Sequence, residues 1–150
     1  MHIKYTKNHK DAVTPEKAYP EDIGFDIVAI KKHKVILNGA KNENEIGVVI
    51  MYDTGISVTP PKGFYTEIVP RSSISKTGWI LANSIGIVDP TYNGNLYIAL
   101  MRVSENSPEI KLPFCKCQLI LRQFYNCRMK EVNSLEKSER GGGGFGSTDK

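Results

Sequence analysis

The sequence predicts an all-β fold, a distorted jelly roll or β-sandwich, on three observations. Short apolar, β-branched stretches recur along the chain. Gly and Pro punctuate them, 13 and 8 times in 150 residues. No stretch carries the apolar stripe of a three-turn helix. The length suits one domain with a real core rather than two. Hydrophobic residues at 40% and charged residues at 24% are ordinary for a globular chain, so disorder is expected only at the ends.

Taken in order, Ile3 and Tyr5 among polar neighbours predict a short first strand, and Pro15 and Pro20 mark an irregular approach to Ile23. Gly24 to Ile30 turns apolar and β-branched, as in a buried strand. Asp26 lies inside that run, where a carboxylate needs an arginine partner or the water shell of a metal ion. Val35 to Leu37, Ile46 to Tyr52, Gly55 to Val58 and Phe64 to Val69 read as further strands, with a polar loop over Gly39 to Glu45. A short helical turn is expected around Ser72 to Thr77. Ile98 to Val103 and Cys117 to Phe124 complete the strands, and Val132 to Arg140 has little to bury. Residues 1–139 form the β domain in this reading, and 140–150, with five glycines, a mobile arm.

The stretch that organises the chain is Asn83 to Leu100. Apolar residues run from Ile85 to Val88, Asp89-Pro90 and Asn93-Gly94 signal a reversal, and Leu96, Ile98 and Leu100 alternate outward again. This predicts a β-hairpin whose tip carries one carboxylate, Asp89, and one amphipathic ring, Tyr92. Free backbone groups on its inner side would pair with a planar heterocycle much as one base pairs with another. An ordinary chain reversal fits the same residues.

Several classes are excluded or left unsupported. No apolar run approaches the ~20 residues that cross a bilayer, and Met1 to Lys7 lacks the apolar centre of a secretory signal. An intracellular protein, cytoplasmic or nuclear, is therefore expected, with a viral origin left open. Cys115, Cys117 and Cys127 cannot all pair within one chain, which fits a reducing compartment. With no histidine at ligand spacing, they are expected to be small buried fillers rather than a zinc site. A net charge of +4 without a basic stripe gives no case for nucleic acid, though it helps attract a polyphosphate.

Other residues point to phosphate. Arg71, Ser72 and Ser73 leave the end of a strand, a cation and two hydroxyls suited to a phosphate cradle. In the tail, Arg140 offers a fork for phosphate oxygens, Gly141 to Gly144 and Gly146 permit close backbone approach, and Ser147 and Thr148 add donors. Phe145 would be covered by a planar base. A flexible linker fits the glycines equally well.

Gly24-Phe25-Asp26, Arg71-Ser72-Ser73, the Asn83–Leu100 stretch, Cys117-Gln118-Leu119 and the glycine-rich tail follow one another in an order and spacing that resembles the five motifs of the homotrimeric dUTP pyrophosphatases, or dUTPases. The resemblance covers roughly residues 20 to 149. It implies hydrolysis of dUTP to dUMP and pyrophosphate, with Asp89 holding the nucleophilic water and Ser72 donating to the oxygen between the α- and β-phosphates. It further implies that Asn83 reads uracil with the backbone, that Tyr92 lies against the deoxyribose, and that Phe145 stacks on the base. Arg71, Ser73, Gln118, Arg140, Gly146, Ser147 and Thr148 would hold the phosphates. Mg²⁺ would bridge phosphate oxygens, with Asp26 holding its waters, and three subunits would share each site. Departures stand at Cys115 and Lys116, where Arg-Ile is usual, and at Asp149, where glycine is usual; Asn95 receives no role. A dCTP deaminase resembles the same hairpin but carries a glutamate where this chain has Ala99. A catalytically silent nucleotide-binding jelly roll is the non-enzymatic alternative.

Overall fold

In the computed structural model, which describes residues 1–144 and 146, ten strands and one 3₁₀ turn account for the regular structure of the described residues. The strands are β1 Lys4–Lys7, β2 Phe25–Ala29, β3 Lys31–Ile36, β4 Val49–Asp53, β5 Ile56–Thr59, β6 Phe64–Pro70, β7 Trp79–Leu81, β8 Gly86–Val88, β9 Tyr97–Arg102 and β10 Phe114–Gln123. Two four-stranded antiparallel sheets, β2-β10-β6-β8 and β3-β4-β9-β7, form the two layers, and β1 pairs with β5 in a separate ribbon. This is the expected all-β sandwich.

Period-two alternation places the core between the layers. Along β9, Ile98 and Leu100 are wholly buried while Tyr97, Ala99 and Met101 are only partly covered. Ile27, Ile68, Val88 and Leu119 face them from the other sheet's strands, with Trp79 and Leu81 from β7. Burying each large aliphatic side chain stabilises the fold by about 1.5–3 kcal/mol. Among the described residues no helix is long and apolar enough to cross a membrane.

Several elements differ from expectation. β7 was not anticipated, because three residues between Gly78 and Ala82 are too short for a period to register. β3 begins at Lys31, since edge pairing with β4 is made by backbone and tolerates four exposed residues, Lys31 to Lys34. The expected turn after Arg71 is a 3₁₀ segment, Ser72–Lys76. Cys117 is a buried filler with its thiol pushed up to about 12 by burial, but Cys127 is exposed and fills nothing.

The main correction concerns the hairpin. The chain does reverse: Asp89 and Pro90 open a β-turn closed by the Tyr92 N–H on the Asp89 carbonyl at 3.0 Å. Yet β8 and β9 do not pair with each other. β8 is the edge of one sheet beside β6, and β9 lies inside the other, between β4 and β7. The stretch is a crossing between layers.

Candidate active site

That crossing leaves a gap. β7 covers β9 only from Leu100 to Arg102, with one further bond from Ala82 N–H to the Ala99 carbonyl, so the flank of β9 below Ala99 is free of that strand. Facing it is the outer edge of β8, whose ladder runs only to β6. Between them opens a cleft of about 210 Å³ lined by Asn83, Gly86, Asp89, Tyr92, Asn95 and Tyr97, with Ile68 at its floor. It is smaller than the ~300–1,000 Å³ of sites that enclose a whole ligand, so it accommodates part of a nucleotide.

Local structure sets each wall. Asn83 precedes Ser84, which is held at φ 60, a left-handed conformation uncommon outside glycine. Tight bonds from Ser84 N–H to the Leu81 carbonyl (3.1 Å) and from Ile85 N–H to the Asn83 carbonyl (2.6 Å) enforce it. Gly86 keeps the cleft open at its base: a Cβ there would sit 3.1 Å from that of Ile68 and 3.4 Å from Asn83 Nδ2. Asp89 is exposed, and among the described residues its carboxylate has no hydrogen-bond or ion-pair partner. It is therefore open to water. Tyr92, 41% exposed, donates its hydroxyl to the Asn95 carbonyl at 2.9 Å, and its ring passes over Gly94, where no Cβ would fit.

A second group of motif residues gathers elsewhere, at the ends of β2, β10 and β6. Arg71 Nη1 pairs with Asp26 Oδ2 at 2.9 Å, both side chains about one-third exposed. Gln118 stands opposite Asp26 in the β2–β10 register, with Nε2 3.4 Å from the Pro70 carbonyl. Gly24 packs so closely on Gln118 that a Cβ would fall 2.0 Å from Oε1. Arg71 also lies 3.5 Å from Cys115 Sγ, and its N–H donates to the Lys116 carbonyl at 2.8 Å, so the two departures from the usual motif sit against the arginine itself. Ser72 is exposed at the start of the 3₁₀ turn, and Ser73 follows, half-buried.

None of Asp26, Arg71, Ser72, Ser73 or Gln118 lines the cleft beside β8. Arg140 is exposed, its Nε bonded to the Gly143 carbonyl at 2.9 Å in a local turn, and Gly146 is exposed with φ 84. Phe145, Ser147 and Thr148 lie outside the described residues. The described residues contain no cluster of three or more His, Cys, Asp or Glu that could cage a metal. Ala99, where a deaminase needs a carboxylate, pairs with Met51 inside the sheet.

The described residues thus show a β-sandwich with an exposed carboxylate beside one cleft and a separate group of cation, hydroxyls and amide at the ends of other strands. The dUTPase family profile matches residues 10–149, and the chain belongs to the dUTPase family. It is 33% identical over 135 residues to the deoxyuridine 5'-triphosphate nucleotidohydrolase of Rickettsia canadensis (strain McKiel), covering 89% of this chain and 86% of that one. The protein of the same description from Clostridium tetani is 31% identical over 151 residues, covering 100% of this chain and 97% of the relative. In fold, it superposes on the Staphylococcus bacteriophage 80alpha dUTPase G164S mutant, solved with dUpNHpp, at TM-score 0.77 and 22% identity, with 98% of each chain covered. It likewise resembles the D95N mutant dUTPase of phage phi11, described with a structural Mg(II) ion, at TM-score 0.69 and 17% identity, covering 91% of this chain and 100% of that one. Hydrolysis of dUTP to dUMP is the reaction of this family, and the chain is a dUTP diphosphatase.

Asn95, which received no role from the sequence, lines the cleft, and behind it lies Asp53, which the sequence reading did not single out. Nothing in the local sequence flagged a buried aspartate that meets the crossing only in three dimensions.

Proposed function

We propose that the cleft between β8 and β9 binds the uracil and deoxyribose of dUTP, and that Asp89 delivers water to the α-phosphorus beside it. The observation that carries this reading is the gathering of Asn83, Asp89 and Tyr92 around one cleft whose walls are unpaired strand edges. Uracil offers an acceptor where cytosine offers a donor, so the wrong base leaves buried groups unpaired. The ring of Tyr92 lies against the sugar and leaves no room for a 2′-hydroxyl.

Asp89 takes the proton of the attacking water as the new P–O bond forms and the bond to the bridging oxygen breaks, a contribution of about 10²–10⁴-fold. Ser72 donates to that bridging oxygen as pyrophosphate departs. Arg71, Ser73 and Gln118 hold the remaining phosphate oxygens, with Arg140, Phe145, Gly146, Ser147 and Thr148 closing over them. Mg²⁺, when bound, neutralises charge on the phosphates while keeping most of its waters. Asp26 fits an outer-shell role, because Arg71 engages its Oδ2 and the described residues hold no cluster that would cage the ion directly. The separation of the cleft from the Asp26–Arg71–Gln118 group supports a homotrimer in which different subunits supply the two parts. No nucleic acid or membrane takes part in this reading.

The test is pyrophosphate release from dUTP, dCTP, dTTP and UTP, with Mg²⁺ and with a chelator. Turnover confined to dUTP and lost with the chelator is expected. Equal turnover of UTP would refute the role of Tyr92, and ammonia release from dCTP would favour the deaminase.

A further inference from the structure

The buried carboxylate of Asp53 has no part in the chemistry above, although its residue is only 4% exposed. It accepts the Gly55 N–H at 2.7 Å, and both its oxygens receive Asn95 Nδ2, at 3.0 and 3.2 Å. Lys31 Nζ stands 3.8 Å away at the surface. The other end of the Asn95 amide is equally committed, because Oδ1 accepts from Asn8 Nδ2 at 2.8 Å and lies 3.3 Å from Ser57 Oγ. An amide with donor and acceptor both satisfied is fixed in rotamer. The next residue is clamped too: Leu96 N–H donates to the Ile56 carbonyl at 2.7 Å, and Thr54 donates twice to the Leu96 carbonyl. The backbone at Asn95 is therefore pinned on both sides, and it is the Asn95 carbonyl that receives the Tyr92 hydroxyl.

We infer that Asn95, anchored on Asp53, is the positioning residue that sets the place of the Tyr92 ring and so the discrimination between deoxyribose and ribose at this site. The inference rests on the proposed function of the cleft. A wall that excludes one oxygen atom works only if it cannot retreat by that atom's width. Tyr92 stands at an exposed loop tip, its ring over Gly94 and its hydroxyl on the Asn95 carbonyl. Asn95 ties that hydroxyl to β4 and β5 through Asp53, Ser57 and the Leu96–Ile56 bond.

The test compares Asn95→Ala, Asp53→Ala, Asp53→Asn and Gly94→Ala with the native chain. The measurements are kcat and KM for dUTP and UTP, and the NMR ring signals of ¹³C-labelled tyrosine without nucleotide. Asn95→Ala and Asp53→Ala should raise KM for dUTP and shrink the dUTP/UTP ratio of kcat/KM by on the order of 10–100-fold, as a displacement of about 1 Å does. Turnover at saturation, set by Asp89, should change less than ~3-fold. Asp53→Asn, which keeps an acceptor for Asn95, should recover most of the discrimination. Gly94→Ala, which pushes the ring directly, should reproduce the loss with the anchor intact. A folded Asn95→Ala with native discrimination and native Tyr92 signals overturns the inference. If the native chain failed to hydrolyse dUTP, the proposed function would fall, and the Tyr92 signals alone would then decide for or against the positioning role.

Discussion

The β8–β9 crossing and the segment after β10 both carry motif residues, yet they are built in opposite ways. The crossing is tied into both sheets, with Leu96 buried to 1% and the Asn95 amide satisfied at both ends. Residues 124–142, by contrast, are exposed throughout, and among the described residues the Arg140 side chain bonds only to its own turn. Under the proposed function, the difference separates selection from grip. A cavity that already has its shape suits selection, because fixed buried polar groups are left unpaired by the wrong nucleotide. Holding a triphosphate tolerates late assembly, since charge-assisted bonds form wherever donors arrive.

The sharpest way to break this division is at the crossing itself. Asp89→Asn should cut dUTP turnover by about 10²–10⁴-fold while leaving dUpNHpp binding near native, measured by pyrophosphate release and calorimetry. A variant that kept the native rate would show that another group activates water. Next in size, Arg140→Ala removes charged hydrogen bonds worth about 1.5–3 kcal/mol, so kcat/KM should drop by roughly 10–100-fold. The melting temperature should not move, because the side chain bears on nothing in the core. A fall in melting temperature would contradict the separation.

A smaller effect is expected at the strand-end group. Gly24→Ala forces the Gln118 side chain away from the Pro70 carbonyl, which should raise KM several-fold and leave base selectivity untouched. The smallest prediction concerns stability beneath β8. Glu67, opposite Ile87 in the ladder, is held below the usual carboxylate range by the Tyr65 hydroxyl at 2.6 Å, against the opposing effect of burial and with help from Arg122. A depressed carboxylate stabilises the fold above its unfolded pKa and loses that contribution as pH falls through its folded value. The melting-temperature gap between native and Glu67→Gln proteins should thus be present at pH 7 and close on acidification below ~4. A gap independent of pH would mean packing rather than charge.

What could be read in advance follows the same division. β2, β5, β6 and β10 were legible because their alternation or apolar density is local, and the loop carrying Asp89 and Tyr92 because Asp-Pro and Asn-Gly announce a reversal, whereas Asn83 was picked out by the family resemblance alone. The switch of sheet between β8 and β9 was not legible, since Ile87 and Ile98 obey one alternation whether their strands pair or part. Asp53 was missed for a related reason. A carboxylate beside a Thr-Gly turn looks like a surface residue until Asn95, 42 positions later, is brought against it. Asp26 was read as either an arginine's partner or a water-shell ligand, and it is paired with Arg71.

The most direct measurement is a crystal structure of the protein with dUpNHpp and Mg²⁺. The uracil should lie between the edges of β8 and β9, bonded to Asn83 and to main-chain groups, with a water held between Asp89 and the α-phosphorus. A base bound outside that gap, or an Asp89 carboxylate turned away from the phosphate chain, would contradict the account.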